Sequence, residues 1–266
     1  MPKRPATYYR PESLDEALAL LSTPDVAPLA GGTHLLAGEA GVDLAGVVDL
    51  QALGLNQIKL HAGRLAVGAT ATLSALSEFL AAELADADVT PLLLQALRQA
   101  GPNTYRNAAT LGGVVATRLP DSELLAALLA LEAELTLRAP DLELMALADY
   151  LAAAERPSGL ITALSIPLAP GRGHSARVAR TPADAPIVSV TLWNPPEGTP
   201  RLAATGLAQR PLRLGAAEAI LAGDPSNVEA AAAAAQAASR HPGDFRGDAA
   251  YRAAMAAVLT RRVLGE

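Results

Sequence analysis

The residues best placed to do chemistry are two glycine pairs. One stands in Leu29-Ala30-Gly31-Gly32-Thr33-His34-Leu35-Leu36, the other in Thr110-Leu111-Gly112-Gly113. Glycine pairs permit positive φ and close backbone approach, so their N–H groups can converge on an anion. A threonine hydroxyl, Thr33 or Thr110, lies beside each pair. Alone, either pair is an ordinary strand-to-helix turn. Two in one chain point to a single site assembled from both. Such loops can hold a pyrophosphate without Lys or Arg, because oriented amides supply the positive potential.

Other chemistries find no footing. The chain has no cysteine, which excludes disulfides, thiolate nucleophiles and iron–sulfur ligation by its own residues. Its four histidines, His34, His61, His174 and His241, show no metal-ligand spacing and read as surface or packing residues. Any redox centre is therefore an organic cofactor or sits on a partner chain. No G-x-x-x-x-G-K-[ST] loop and no G-x-S-x-G elbow occurs, and the carboxylates are scattered. Gly171-Arg172-Gly173-His174-Ser175-Ala176 fits a loose dinucleotide pattern. It follows Pro167 and Pro170 with no βαβ unit around it, so it reads as a linker. The net charge of -6 and the lack of a Lys/Arg run argue against nucleic acid and against an anionic membrane surface. No apolar run reaches bilayer-spanning length, and no signal core follows the basic start, so a cytoplasmic location is the default expectation.

The elements that must position the glycine pairs follow from periodicity. Pro11 to Ser22 reads as a helix, with Ser13 and Glu16 spaced as a capping box. Val26 to Leu29 is a short strand running into the first pair. Thr33 to Glu39 reads as one helical turn or two, and Gly46 to Leu50 as a strand. Ile58 to His61 and Leu65 to Ala69 flank a hairpin turn, and Thr72 to Ala82 and Pro91 to Ala100 are helices. Asn103 to Thr110 is polar and irregular and delivers the second pair. A helix capped by Asp121 or Ser122 runs to Leu131. A hairpin around Pro140-Asp141, a short helix from Leu147 and a strand over Leu160 to Pro167 complete the first unit. Composition shifts over Pro167 to Gly173, where we place a boundary. A meander of strands and three terminal helices follow. The order predicts α+β architecture, with units at 1–168 (subdomains 1–53 and 54–168) and 174–266.

Read together, the motifs resemble the FAD-binding (medium) subunit of the molybdenum hydroxylases, the family of carbon monoxide dehydrogenase and xanthine dehydrogenase. The family's aromatic followed by P-x-S-L-x-E-A-L-x-L-L is similar to Tyr9 with Pro11 to Leu21. Its A-G-G-T/H-x-L-L loop is Ala30 to Leu36. Its V-D-L strand and L-x-I-G-A-x-T-T-L-like segment resemble Val48 to Leu50 and Leu65 to Leu73. Its R-N-x-x-T-I-G-G-N-I-A signature resembles Arg106 to Ala116. The resemblance spans essentially the whole chain. It implies a two-subdomain FAD-binding domain of the PCMH type, followed by a C-terminal antiparallel sheet with helices.

The resemblance also implies FAD as cofactor, held chiefly at its phosphates. The residues it assigns to that site are Leu29, Ala30, Gly31, Gly32, Thr33, His34, Leu35, Thr110, Leu111, Gly112, Gly113 and Val114. The first loop is expected to bind through its backbone rather than through His34. Glu123 matches an acidic cofactor ligand that is usually Asp, Ile161 a residue lining the flavin, and Arg177 the family's lysine. Electrons are expected from an iron–sulfur subunit, with the molybdenum cofactor on a further chain, and to leave through FAD to an external acceptor. Three departures stand out. Val114 replaces an Asn, and Ser175 with Arg177 replaces Tyr-x-Lys, although Arg180 and Asp184 are retained. Tyr105 and Trp193 are candidates for the missing ring cover, yet both read as packing residues. The loop from Gly38 to Gly46 is short for the family. These departures define the alternative, a family member kept as an assembly scaffold with weak or no flavin binding.

Overall fold

The computed structural model describes residues 5–37, 44–139 and 141–265. Residues 38–43 of the expected Gly38 to Gly46 loop, the far end of the turn expected after Thr33, and Pro140, expected in a hairpin turn, fall outside the described residues.

A small parallel sheet comes first. β1 (Thr7–Tyr9), β2 (Val26–Leu29) and β3 (Gly46–Asp49) pair in the order β1–β3–β2, and α1 (Leu14–Leu21) packs against β2 and β3. Ser13 caps α1 by accepting the N–H of Glu16 at 3.2 Å, and Glu16 Oε2 accepts the N–H of Glu12 at 3.1 Å. The capping box read from sequence is thus present, its return bond shifted by one residue. Parallel strands offer ligand loops at their carboxyl ends. β2 ends at Leu29, so the first glycine pair leaves the sheet there.

The second unit is an antiparallel sheet with helices packed on it. The hairpin β4 (Ile58–His61) and β5 (Arg64–Gly68) is followed by α2 (Leu73–Glu83), α3 (Thr90–Gln99), α4 (Asn103–Arg106), α5 (Leu111–Thr117) and α6 (Glu123–Ala130). Then come β6 (Glu134–Ala139), β7 (Asp141–Ala146), α7 (Leu147–Ala152) and β8 (Leu160–Pro167). The strand order is β4–β5–β8–β6–β7. β8, last in sequence, fills the middle and joins the two hairpins.

The third unit is the sheet β12–β11–β10–β9, made of β9 (Arg172–Val178), β10 (Val188–Asn194), β11 (Arg201–Thr205) and β12 (Leu212–Arg213). α8 (Gly215–Gly223) and α9 (Val228–Ala237) follow. A small hairpin of β13 (Gly243–Asp244) and β14 (Gly247–Asp248) leads into α10 (Ala249–Gly265). The sequence V-S-V-T-L-W of β10 alternates as if one face met water, yet both faces are buried. Val188, Val190 and Leu192 join a core with α10, while Trp193 and Ala203 on the other face join the core around α6. The polar residues there are satisfied: Ser189 and Thr205 share a hydroxyl hydrogen bond of 2.8 Å.

β9 is a full edge strand where a linker was expected. It pairs with β10 from Arg172 to Val178. Its glycines make room for Trp193, since a Cβ on Gly171 or Gly173 would sit 2.6 or 2.7 Å from the indole. Trp193 is 1% exposed and seals the seam between the third sheet and α3, with Leu92 beside it. Trp193→Ala is expected to cost about 3–5 kcal/mol, the usual range for emptying a buried aromatic site. Urea unfolding followed by circular dichroism checks it, and a loss under about 1 kcal/mol would contradict a sealed seam.

Candidate cofactor-binding site

The first glycine pair sits where two backbones touch. A Cβ on Gly31 would overlap the carbonyl oxygen of Ala108 and lie 2.7 Å from its carbonyl carbon. Only glycine allows that approach. Gly32 adopts φ +70°, the left-handed region, and the turn closes with the N–H of Leu36 donating to Gly32 O at 2.9 Å. Among the described residues, no acceptor receives the N–H groups of Gly31, Gly32, Thr33, His34 or Leu35. Consecutive backbone donors converging in one tight turn form an anion-binding concavity. His34 makes no side-chain hydrogen bond among the described residues, so the turn is backbone-built. Leu29 ends β2, and Ala30 packs on the small core beneath α1.

The second pair behaves differently. It lies inside the first turn of α5 rather than in a loop. Thr110 is the N-cap, and its Oγ1 accepts the N–H of Gly113 at 3.2 Å. Leu111 donates to Ala71 O, Gly112 to Ala69 O and Val114 to Thr110 O, each at 2.9 Å. The helix's first donors are therefore already used. What the glycines supply is space. A Cβ on Gly112 would strike Ala69 at 2.6 Å, so α5 can lie directly against the residue after β5. A Cβ on Gly113 would meet only Thr110 Oγ1, leaving bare room above the helix. Leu111 and Val114 point into the core.

Ala69 connects this turn to the central strand. Its carbonyl takes the N–H of Gly112 and its own N–H donates to Thr162 O at 2.9 Å. Ile161 is therefore the neighbouring residue of β8, buried beside the register shift at Thr136/Leu137.

Glu123 and Arg177, identified from separate stretches of sequence, meet across the seam. Glu123 opens α6 behind the Ser122 cap, and its Oε2 lies 3.5 Å from Arg177 Nη1 on β9. Its side chain is 3% exposed, and Oε1 is buried with no hydrogen-bond partner among the described residues. Burial lifts the Glu123 carboxyl to about 7, against the opposing pull of Arg177 and with a further push from Asp121. Arg177 also donates to Asp184 O. Among the described residues no hydrogen bond or ion pair joins this pair to the two glycine turns.

Sequence reasoning missed several participants. Ala69 and Ala108 are the small residues that face the glycines, and only their size hinted at it. Arg246, which bonds Asp121 Oδ2 at 3.0 Å beside Glu123, had no local signal. Ser175 is tied within its sheet, donating to Val190 O and accepting from Thr191. Trp193 is a packing residue, and Tyr105 is half-buried against the core.

Donors at the first turn with no acceptor among the described residues, bare room above Gly113 and a buried carboxyl oxygen likewise without a partner there suit an anionic ligand that also carries hydrogen-bond donors. A phosphate-bearing dinucleotide has both. Residues 4–169 match the family model described as the FAD binding domain in molybdopterin dehydrogenase. The chain belongs to that FAD-binding family. Residues 198–266 of this family member match the CO dehydrogenase flavoprotein C-terminal domain. It is 32% identical to the carbon monoxide dehydrogenase medium chain of Afipia carboxidovorans, covering 97% of this chain and 94% of the relative. The glyceraldehyde dehydrogenase medium chain of Sulfolobus acidocaldarius is 28% identical, over 98% and 97%. The carbon monoxide dehydrogenase structure from Hydrogenophaga pseudoflava that lacks the Mo-pyranopterin moiety superposes with a TM-score of 0.89. That match is at 26% identity over 100% of this chain and 97% of that one. The resemblance read from the motifs is thus confirmed, and so is the mixed α+β architecture. This family member is an oxidoreductase subunit whose cofactor is FAD, the FAD-binding subunit of a molybdenum hydroxylase. No helix among the described residues is long and apolar enough to cross a membrane.

Proposed function

We propose that the chain is the flavin station of a multi-chain molybdenum hydroxylase, with FAD held between the two glycine turns and the seam. The observation that carries this reading is the contact of Gly31 with Ala108, which brings turns far apart in sequence into one cradle. In this reading the N–H groups of Gly31 to Leu35 take the phosphate oxygens, with Leu29 and Ala30 setting the turn's height. Thr110, Leu111, Gly112 and Val114 hold α5 in place so that Gly113 offers a bare floor. Ile161 lines the flavin end. Arg177 brings positive charge there, and Glu123 Oε1 waits for a donor. The chain's division at 1–168 and 174–266 belongs to the same reading.

When bound, FAD converts electron pairs to single electrons and back. The chain's own residues need move no proton for that; they orient the cofactor and exclude water from the seam. The electrons are proposed to come from an iron–sulfur partner, beyond which a third chain holds the molybdenum cofactor, and to leave to an external acceptor. The purified chain is expected to keep FAD through gel filtration and to show its visible bands. Those bands should bleach when a reduced iron–sulfur partner is added. A colourless chain that stays apo when mixed with FAD would overturn the reading.

A further inference from the structure

The chain is poor in aromatics, with two Phe, one Trp and five Tyr in 266 residues. One of the two phenylalanines, Phe245, stands at the tip of the β13–β14 hairpin with 86% of its surface exposed. A ring so placed forgoes the stabilisation that burial would bring. The tip is nevertheless rigid. Asp244 Oδ1 accepts the N–H groups of Arg246 and Gly247 at 2.9 and 3.2 Å and the Nη2 of Arg252 at 2.7 Å. Arg252, itself buried, donates to the carbonyls of Ile187, Gly206 and Gly247. The hairpin is thereby tied to the third sheet.

Its neighbour's hydrogen bonds lead to the proposed flavin end. Arg246, next to Phe245, bonds Asp121 at 3.0 Å, and Asp121 lies two residues before Glu123. Tyr251, exposed as well, packs beside Gly247 at the hairpin's base. Iron–sulfur clusters are held by cysteine thiolates, and this chain has none. The single-electron donor must therefore be a second chain, and it must approach the flavin end to be of use.

We infer that Phe245 is the docking anchor for the cysteine-bearing iron–sulfur chain, inserting its ring into an apolar pocket of that partner. This rests on the flavin-station reading above. An exposed aromatic on a pre-ordered loop, ringed by polar groups, is the pattern of an interface hot spot. The charges around it, Asp121, Asp244 and Arg246, already pair with one another. The partner need offer no counter-charge there, only apolar surface.

The test uses the tagged full-length chain, produced in its native host and purified with whatever remains bound. Iron and FAD per chain are measured for the wild type, Phe245→Asp, Phe245→Ala and Leu144→Asp. Leu144 is 69% exposed on the edge strand β7 and serves as an apolar control elsewhere. The wild type and Leu144→Asp should carry iron. Phe245→Asp should lose iron at least tenfold while keeping FAD and its melting temperature, with Phe245→Ala losing less. Should Phe245→Asp unfold, undiminished iron in Phe245→Ala overturns the anchor. Equal loss from Leu144→Asp also overturns it, as does a change in self-association with iron unchanged, which would point to a second copy of this chain. A wild-type chain with FAD but no iron defeats the flavin-station reading itself, whatever Phe245 does.

Discussion

Gly31→Val is expected to strip FAD from the chain, lowering cofactor content at least tenfold at equal protein. The new Cβ would overlap Ala108 O and sit 2.7 Å from its carbon, so the collision is backbone against side-chain root and no rotamer relieves it. The first turn must lift off Ala108–Ala109, and the cradle opens. Local overpacking of this kind costs about 1–3 kcal/mol. Gly31 lies in the turn after β2, outside every strand and helix, so the strain is local and the fold should survive. Tenfold in affinity corresponds to about 1.4 kcal/mol, well within that strain. Absorbance of the bound flavin against far-ultraviolet dichroism separates the two effects. Gly113→Val tests the opposite wall, where the Cβ meets only Thr110 Oγ1. It should lose FAD at a stability cost limited to the displaced Thr110 cap, about 1 kcal/mol. Wild-type FAD content in Gly31→Val would show that the two turns do not act as one clamp.

Glu123→Gln should flatten the pH dependence of the cofactor-free chain's stability. The Glu123 carboxyl is lifted from 4.5 to about 7 by burial. Between those values the folded state holds a proton that the unfolded state has released. Stability therefore falls as pH rises through that window, and above it the whole penalty remains. A shift of that size is worth on the order of 3 kcal/mol. Glutamine cannot ionise, so the variant should be the more stable protein at pH 8 and close to wild type at pH 4.5. Urea unfolding at the two pH values measures it, and a pH-independent difference between the proteins would refute the buried-carboxyl account.

Much of this fold is legible in sequence because local signals agree with tertiary placement. Ser13 with Glu16 marks α1, the Ala62-Gly63 turn marks the β4–β5 hairpin, and the Ser122 cap with the unbroken apolar run from Leu124 marks α6. Illegible parts are those where packing overrules local preference. Two glycines weaken a helix by roughly 1 kcal/mol each, yet α5 begins on them. The Thr110 cap and the burial of Leu111, Val114 and Val115 outweigh that cost. The Gly/Pro-rich start of β9 looks like a linker until the bulk of Trp193 explains its glycines. The site was half legible. Its glycine turns declare themselves by composition, whereas the unequal use of their N–H groups depends on Ala69 and Ala71, which nothing local singles out. Nor does spacing along the chain reveal that Glu123 faces Arg177.

α6 has no face to spare for water. Every residue from Glu123 to Ala130 is buried, between α3 on one side and strands β10 and β11 on the other. The helix that begins with a proposed cofactor ligand is thus also the shared spine between the second unit's helices and the third sheet. One half expressed without the other would leave a stripe of leucines bare, an aggregation surface rather than a smaller protein. The flavin-binding half is consequently not an exchangeable cassette: it can be borrowed for another assembly only together with the sheet that follows it.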